Sequence, residues 1–177
     1  MSKPMSALSF NMMALWFKLR DTLTPPKNVL SEANIKPGFH LLDYGCGPGS
    51  FSIAAAELVG QGGKVYAADI NPLALQRVQN AAASKGLENV ETIHTDCATG
   101  LQDHSLDLVL LYDIYHDLAN PDGVLQELHR ILKPAATLSF SDHHMKENAI
   151  LDRVTRSGLF ELSSQGQKTF SFSKRGP

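Results

Sequence analysis

Several things are scarce in this sequence. Only two of its 177 residues are cysteines, Cys46 and Cys97. That excludes a disulfide framework and suits a reducing compartment. No apolar run reaches the roughly 18 residues of a membrane span. Residues 7–17 are apolar and follow Lys3 in the manner of a signal peptide. Lys18, Arg20 and Asp21 come at once, however, with no small-residue cleavage site. The expectation is a cytoplasmic protein that keeps its N-terminus. Excess charge is also scarce: 16 basic and 18 acidic residues leave a net −2, which excludes the bulk basicity of a nucleic-acid coat. There is no internal repeat and no low-complexity tract. What remains is 43% apolar residues in a chain of one domain's length, enough for a core but not for a second substrate domain of ordinary size.

The charge that is present is unevenly placed. Residues 1–36 carry five basic groups (Lys3, Lys18, Arg20, Lys27, Lys36) against Asp21 and Glu32. Residues 168–177 carry Lys168, Lys174 and Arg175 and no acid. The stretch 37–167 is left with 16 acidic and 8 basic groups, a net −8. An acidic middle with basic ends is either ordinary solvated surface or an anionic partner's footprint near the termini.

From residue 39 onward, strand and helix patterns alternate. Phe39–Tyr44, Lys64–Ala68, Val90–His94, Leu106–Leu111 and Thr137–Ser141 read as strands. Ser50–Val59 reads as a helix stopped by Gly60. A second helix opens on Asn71-Pro72 and ends at Gly86. Val124, Leu125, Leu128, Ile131 and Leu132 form a helical stripe closed by Lys133-Pro134, and Ile150, Leu151 and Val154 mark a helix ending at Gly158. Phe160–Ser163 and Lys168–Ser173 flank the turn Gln165-Gly166. The predicted fold is α/β: a Rossmann-like, doubly wound, mostly parallel sheet of seven strands with a C-terminal antiparallel hairpin. Crossover helices between the first five strands would cover both faces. Residues 1–36 form a helical cap on a domain of residues 37–177. In that cap Phe10–Leu19 is apolar almost all round, Pro25-Pro26 ends it, and Val29–Ala33 forms a further short helix. Such a helix is either buried deeply or acts as a lid whose second face meets substrate.

In an open parallel sheet the ligand lies beyond the carboxyl ends of the strands. There the strands deliver Asp43, Asp69, Asp96, Asp113 and Asp142, and strand one runs into Gly45-Cys46-Gly47-Pro48-Gly49. A dinucleotide wants G-x-G-x-x-G with its pyrophosphate on a helix N-terminus. Here the glycines run G-x-G-x-G, and a ring of carboxylates repels a pyrophosphate. S-adenosylmethionine carries a sulfonium and an ammonium but no phosphate, and suits such an edge. The glycines let the backbone approach it closely.

The stretches LLDYGCGPGSFS, VYAADINP, the TDC after strand three, and YDIYHDLANPDGVLQELHRILKP make the chain resemble the class I S-adenosylmethionine-dependent methyltransferases. The likeness is to their small-molecule branch, which includes quinone-biosynthesis and arsenite enzymes. It implies a transferase using S-adenosylmethionine and releasing S-adenosylhomocysteine. It implies that Asp43, Tyr44, Gly45, Cys46 and Gly47 face the methionine portion. Asp69 would accept the ribose hydroxyls, Ile70 would pack on adenine, Asp96 would accept the adenine amino group, and the backbone at Cys97 would meet a ring nitrogen. Tyr112 and Asp113 would border the methionine tail. The usual KPGG turn is Lys133-Pro134-Ala135-Ala136 here, and the three-cysteine set of arsenite enzymes is absent. Cys46 and Cys97 then read as small residues packed beneath the cofactor.

His116 follows strand four, and His143 and His144 follow strand five. With Asp113 and Asp142 they could hold a metal, or one could serve as general base for an acceptor. They could also be structural, as His116 matches a histidine common in the family; His116, His143, His144 and Tyr115 are the acceptor-side candidates, and no metal is expected. Tyr115 either orients a substrate or packs. Asp142-His143-His144 also resembles the DHH phosphoesterases, a reading that leaves the glycine loop unexplained. The expected function is methyl transfer to a small-molecule acceptor by in-line displacement, without nucleic acid or stable membrane insertion, and compatible with a homodimer. The alternative is a non-catalytic S-adenosylmethionine-binding subunit.

Overall fold

The short apolar runs become the strands of a single sheet. In this computed structural model, which describes residues 6–176, they are β1 (His40–Tyr44), β2 (Lys64–Asp69), β3 (Val90–His94), β4 (Leu106–Tyr112), β5 (Leu132–Ser141), β6 (Phe160–Gln165) and β7 (Phe170–Lys174). Lys3 lies outside the described residues, as do the side chains of Ala7, Met13 and Lys18. The strand order is β3-β2-β1-β4-β5-β7-β6. The first five strands pair in parallel and the last two antiparallel, as expected. β4 sits at the centre and buries nearly every residue, because helices cover both sides of a parallel sheet.

The helices are α1 (Ala7–Leu23), α2 (Pro26–Leu30), α3 (Ser50–Val59), α4 (Pro72–Ser84), α5 (Pro121–Ile131) and α6 (Glu147–Arg156). Asn71 caps α4 by accepting from the Leu73 N–H at 3.1 Å, and Asn120 caps α5 by accepting from the Gly123 N–H at 3.1 Å. A proline follows each cap, at a position whose N–H would go unused in a helix. The pleat sends Leu41, Val65, Leu108 and Leu110 toward α2 and α3. It sends Leu42, Val109, Leu111 and Leu138 toward α5 and α6. Leu125 and Leu128 of α5 and Val154 of α6 are fully buried there.

Three expectations need correction. The crossover from β3 to β4 carries no helix. The segment 95–105 is pinned instead by Glu127 of α5, whose Oε1 accepts from the Thr99 N–H at 2.7 Å and the Thr99 hydroxyl at 2.6 Å. Burial pushes the Glu127 carboxyl up, but Arg130 and the Thr99 donors outweigh it and hold it at about 2. Second, there is no turn at Lys133–Ala136. β5 starts directly after α5 at Leu132, and its register jumps from Leu106↔Leu132 to Leu108↔Thr137. Pro134 has no N–H to give the ladder, so the strand bulges there. Third, of the two readings of α1, burial all round does not hold: Phe10 and Ala14 pack inward, while the opposite face meets solvent.

The ends of the chain are tied together by Glu32, in a 3-10 turn (Ser31–Ala33) after α2. Its Oε2 accepts from the N–H groups of Lys168 and Thr169 at 3.1 and 3.0 Å and from the Thr169 hydroxyl at 3.0 Å. One carboxylate thus closes the β6–β7 turn. Replacing Glu32 with Ala should cost about 1–3 kcal/mol, because three donors lose one charged acceptor. Urea unfolding checks the loss, and faster amide exchange at Lys168 and Thr169 localises it.

Candidate active site

The chain order reverses between β1 and β4, so their carboxyl ends part and leave a crevice. The glycine loop enters it from β1. Gly45 donates its N–H to Ala68 O at 2.8 Å and sits at φ +77°, where a Cβ would come within 2.5 Å of Ile114 Cγ1. Gly47 donates its N–H to Asp69 Oδ2 at 2.9 Å, and the other Asp69 oxygen accepts from the Asn71 N–H at 2.7 Å. Asp69 therefore fixes both the glycine loop and the start of α4. Burial raises its carboxyl against the pull of these backbone donors.

A cavity of about 490 Å³ results, lined by Tyr44, Gly45, Cys46, Gly47, Asp69, Ile70, Asp96 and Tyr112 among the residues the sequence nominates. Asp43 and Cys97 do not line it. Asp43 is buried below the loop, where its Oδ2 accepts from the Ser52 hydroxyl at 2.5 Å. Burial drives its carboxyl up to about 6 against that hydrogen bond. Cys97 donates its N–H to Thr95 Oγ1 at 3.1 Å. Burial raises both thiols, that of Cys46 well above its ordinary value, so neither is a ready nucleophile.

A second cavity, of about 400 Å³, adjoins the first. Trp16, Phe51, Met145, Ile150 and Phe170 form its apolar part, and charged and polar groups the rest, among them Asp113, Asp142, Glu147, His143 and Lys168. Arg20, Phe51, Tyr112 and Asp113 line both cavities. Arg20 comes from α1 and lies 4.2 Å from the Phe17 ring centroid and 5.5 Å from that of Phe51. It donates to Asp21 Oδ1 through Nη2 at 2.8 Å, and its Nη1 is 3.8 Å from Asp113 Oδ2. Asp21 also accepts from the Ser50 hydroxyl, clipping α1 to the start of α3.

The histidines do gather. His143–His144 ring centroids are 3.9 Å apart and His116–His144 centroids 4.3 Å. Their partners differ. Asp113 Oδ1 accepts from His143 Nδ1 at 2.7 Å and from its backbone N–H at 3.0 Å. Asp142, buried, pairs with His116 Nδ1 at 2.9 Å and accepts from the His144 N–H at 3.1 Å. Of the three, His143 alone lines either of these two cavities. Tyr115 does not: it is buried with its ring edge-on to Phe140 at 5.3 Å. Among the described residues, no group of three His, Cys, Asp or Glu side chains could hold a metal ion. Asp113 adopts φ +54°, an uncommon conformation for a residue with a side chain, at the junction of both cavities. Sequence reasoning did not nominate Phe17, Arg20 or Phe51; a lone arginine in the apolar run of α1 was the available signal.

A family model described as a methyltransferase domain matches residues 35–169. The chain belongs to the class I S-adenosylmethionine-dependent methyltransferases. A demethylmenaquinone methyltransferase from Geobacillus stearothermophilus is 34% identical over 109 residues, covering 61% of this chain and 47% of that protein. A ubiquinone/menaquinone biosynthesis C-methyltransferase, UbiE, from Pseudoalteromonas translucida is 26% identical over 157 residues, covering 88% of this chain and 59% of that protein. The chain spans about half the length of the curated relatives it matches. A SAM-dependent methyltransferase from Aquifex aeolicus superposes with a TM-score of 0.76 at 25% identity, covering 88% of this chain and 91% of that one.

The residues present fit the methyltransferase cofactor. A Cβ on Gly47 would meet nothing within 4 Å, so the backbone there faces open space. Each Asp69 oxygen already holds one N–H and still has a lone pair for a ribose hydroxyl. Asp69, Asp96, Asp113 and Asp117 line the cavity against Arg20 alone, a balance that favours a cation over a pyrophosphate. Calorimetry should therefore detect S-adenosylhomocysteine and not NAD. Asp69→Ala should weaken S-adenosylhomocysteine binding by about 1–3 kcal/mol, the worth of a charged hydrogen-bond acceptor.

Asp43 makes a separate prediction. Its folded-state value lies above the ordinary 3.8, so its contribution to stability is complete below about pH 4 and is lost as pH rises through about 6. The loss is on the order of 2–3 kcal/mol. Asp43→Asn should remove that decline, read as a flatter plot of unfolding free energy from pH 4 to pH 7.

Proposed function

We propose that the protein moves a methyl group from S-adenosylmethionine to a small aromatic acceptor whose nucleophilic atom carries a proton. The observation that carries this reading is the His143–Asp113 pair: the imidazole lines the second cavity, and the carboxylate that holds it borders both. S-adenosylmethionine, when bound, supplies an electrophilic methyl group on a sulfonium. Asp69, Ile70 and Asp96 hold it, with the backbone at Gly45 and Gly47 in close approach.

A carboxylate only accepts, so the His143 nitrogen facing Asp113 carries the hydrogen and Nε2 presents a lone pair. That nitrogen takes the acceptor's proton as the methyl group is received, and S-adenosylhomocysteine is the other product. Arg20 steadies negative charge developing on the acceptor, and the aromatic walls align its ring. His116 and His144 support His143 through tilted ring contacts and their shared hold on Asp142, and Tyr115 packs on Phe140 of β5. The named relatives act in quinone biosynthesis, which supports a ring-shaped acceptor of that class. Residues 1–36 serve as the cap of a methyltransferase domain formed by residues 37–177. Cytoplasmic residence suits the free thiols of Cys46 and Cys97.

With a quinol-type acceptor, His143→Ala should lower kcat by about 10²–10⁴-fold, the usual worth of a general base, while S-adenosylhomocysteine affinity stays near wild type. Added imidazole should restore part of the rate. An unaltered kcat would remove His143 from the chemistry. Retained cofactor binding with no turnover of any acceptor would favour a non-catalytic subunit instead.

A further inference from the structure

Tyr44 ends β1, and its hydroxyl stands apart from the polar network around it. Among the described residues it is the one buried side-chain polar atom with no hydrogen-bond partner. The residue is 4% exposed, yet it belongs to the wall of the first cavity. A buried donor that gives up water and gains no acceptor costs free energy, so such a group calls for a use. Its surroundings say which. Burial raises the phenol above its ordinary value, and Cys97, Asp96, Glu127 and Asp69 add to the rise. The hydroxyl therefore faces the segment after β3 and the end of β2, a donor among carboxylates.

Two of those three carboxylates are taken. Both Asp69 oxygens hold backbone N–H groups, of Gly47 and Asn71. Glu127 holds Thr99 and Arg130 by two hydrogen bonds each. Asp96 is exposed at the cavity wall and has no hydrogen bond or ion pair among the described residues. The segment that carries it is anchored: Thr95 Oγ1 accepts from the Cys97 N–H at 3.1 Å and donates to Ala98 O at 2.6 Å. The Asp96 side chain is the part left free to turn. We infer that Tyr44 is a positioning residue for the cofactor's base: its hydroxyl donates to one Asp96 oxygen when the nucleoside is bound, and so aims the other at the adenine amino group. The inference rests on the reading of Asp96 as the acceptor of that amino group. An unheld carboxylate loses its rotamer freedom on binding, and a hydrogen bond from a rigid, buried phenol offsets part of that loss. The phenol gains its acceptor only together with the ligand, so this bond adds to binding and not to the fold. A carboxylate held in place accepts from an amino group and repels a carbonyl oxygen in the same position, which makes the pair a reader of the base.

Calorimetry with S-adenosylhomocysteine and S-inosylhomocysteine tests this without methyl transfer, since the base carries an amino group in one and a carbonyl in the other. The unaltered protein should bind the adenosyl compound at least about tenfold more tightly, the worth of a charged hydrogen bond. Tyr44→Phe should weaken binding of the adenosyl compound about tenfold and of the inosyl compound much less. Urea unfolding of Tyr44→Phe without ligand should show stability unchanged or raised, because an unpaired hydroxyl has left the core. Asp96→Ala should lose the same preference, and the double variant should lose no more than Asp96→Ala alone, since the two residues act as one. A Tyr44→Phe protein that keeps the full adenosyl preference overturns the inference and leaves Asp96 its role. So does one that unfolds more readily while binding both compounds as before, which would give the hydroxyl a partner within the fold. No adenosyl preference in the unaltered protein, or none lost in Asp96→Ala, removes the role of Asp96 and the inference with it.

Discussion

The carboxylate of Asp69 holds two loops at once. One oxygen takes the Gly47 N–H and the other the Asn71 N–H, so the end of β2 sets the glycine loop and the start of α4 together. Without it the loop after β1 would have no fixed distance from the neighbouring strand. The cost is a half-buried charge, visible in the upward push on its carboxyl. Asp43 bears a greater cost one layer deeper, fully buried beside Ser52. One half-buried and one buried carboxylate at the same crevice make it a poor host for a pyrophosphate and a good one for a cation.

Above that floor, α1 decides how the crevice is divided. Phe17 and Arg20 reach over it, and Arg20 stands where the two cavities meet, between Asp21 and Asp113. Asp113 in turn holds His143. A line of alternating charge therefore runs from the cap, through the junction, to the imidazole on the far wall. Shifting α1 would move the guanidinium at the junction, so α1 is part of the wall of both cavities.

The sheet was legible because its strands are short apolar runs between glycine and asparagine stops, and such runs have few other places to go. The β3–β4 connection was not, because what replaces a helix there is a distant carboxylate, Glu127, and no local pattern announces it. The start of β5 was hidden for a related reason: Pro134 reads locally as a stop, yet a bulge lets the strand run through it. Asp69 and Asp96 followed from their place at strand ends, and Ile70 from the family resemblance; all three line the cavity. Asp43 and Cys97 share those strand ends but point away, which spacing does not reveal. Arg20 and Phe17 were unreadable in principle, since their place depends on how α1 docks, and a helix apolar on two sides does not say which side goes in.

The second cavity draws on two regions far apart in sequence. Trp16 and Arg20 come from α1, and Lys168 and Phe170 from the β6–β7 hairpin. Neither is rigid by itself: one is a lone helix and the other an edge hairpin. Glu32 joins them by holding the hairpin turn with three donors, and the Asp21–Ser50 bond clips the helix to the domain. The first cavity is tied in another way: buried strands set its floor, and Asp69 fixes the glycine loop against the end of β2. Hydrophobic burial beneath and carboxylates at the rim act there together. Local opening should begin around the second cavity, where helix and hairpin are held chiefly by carboxylates.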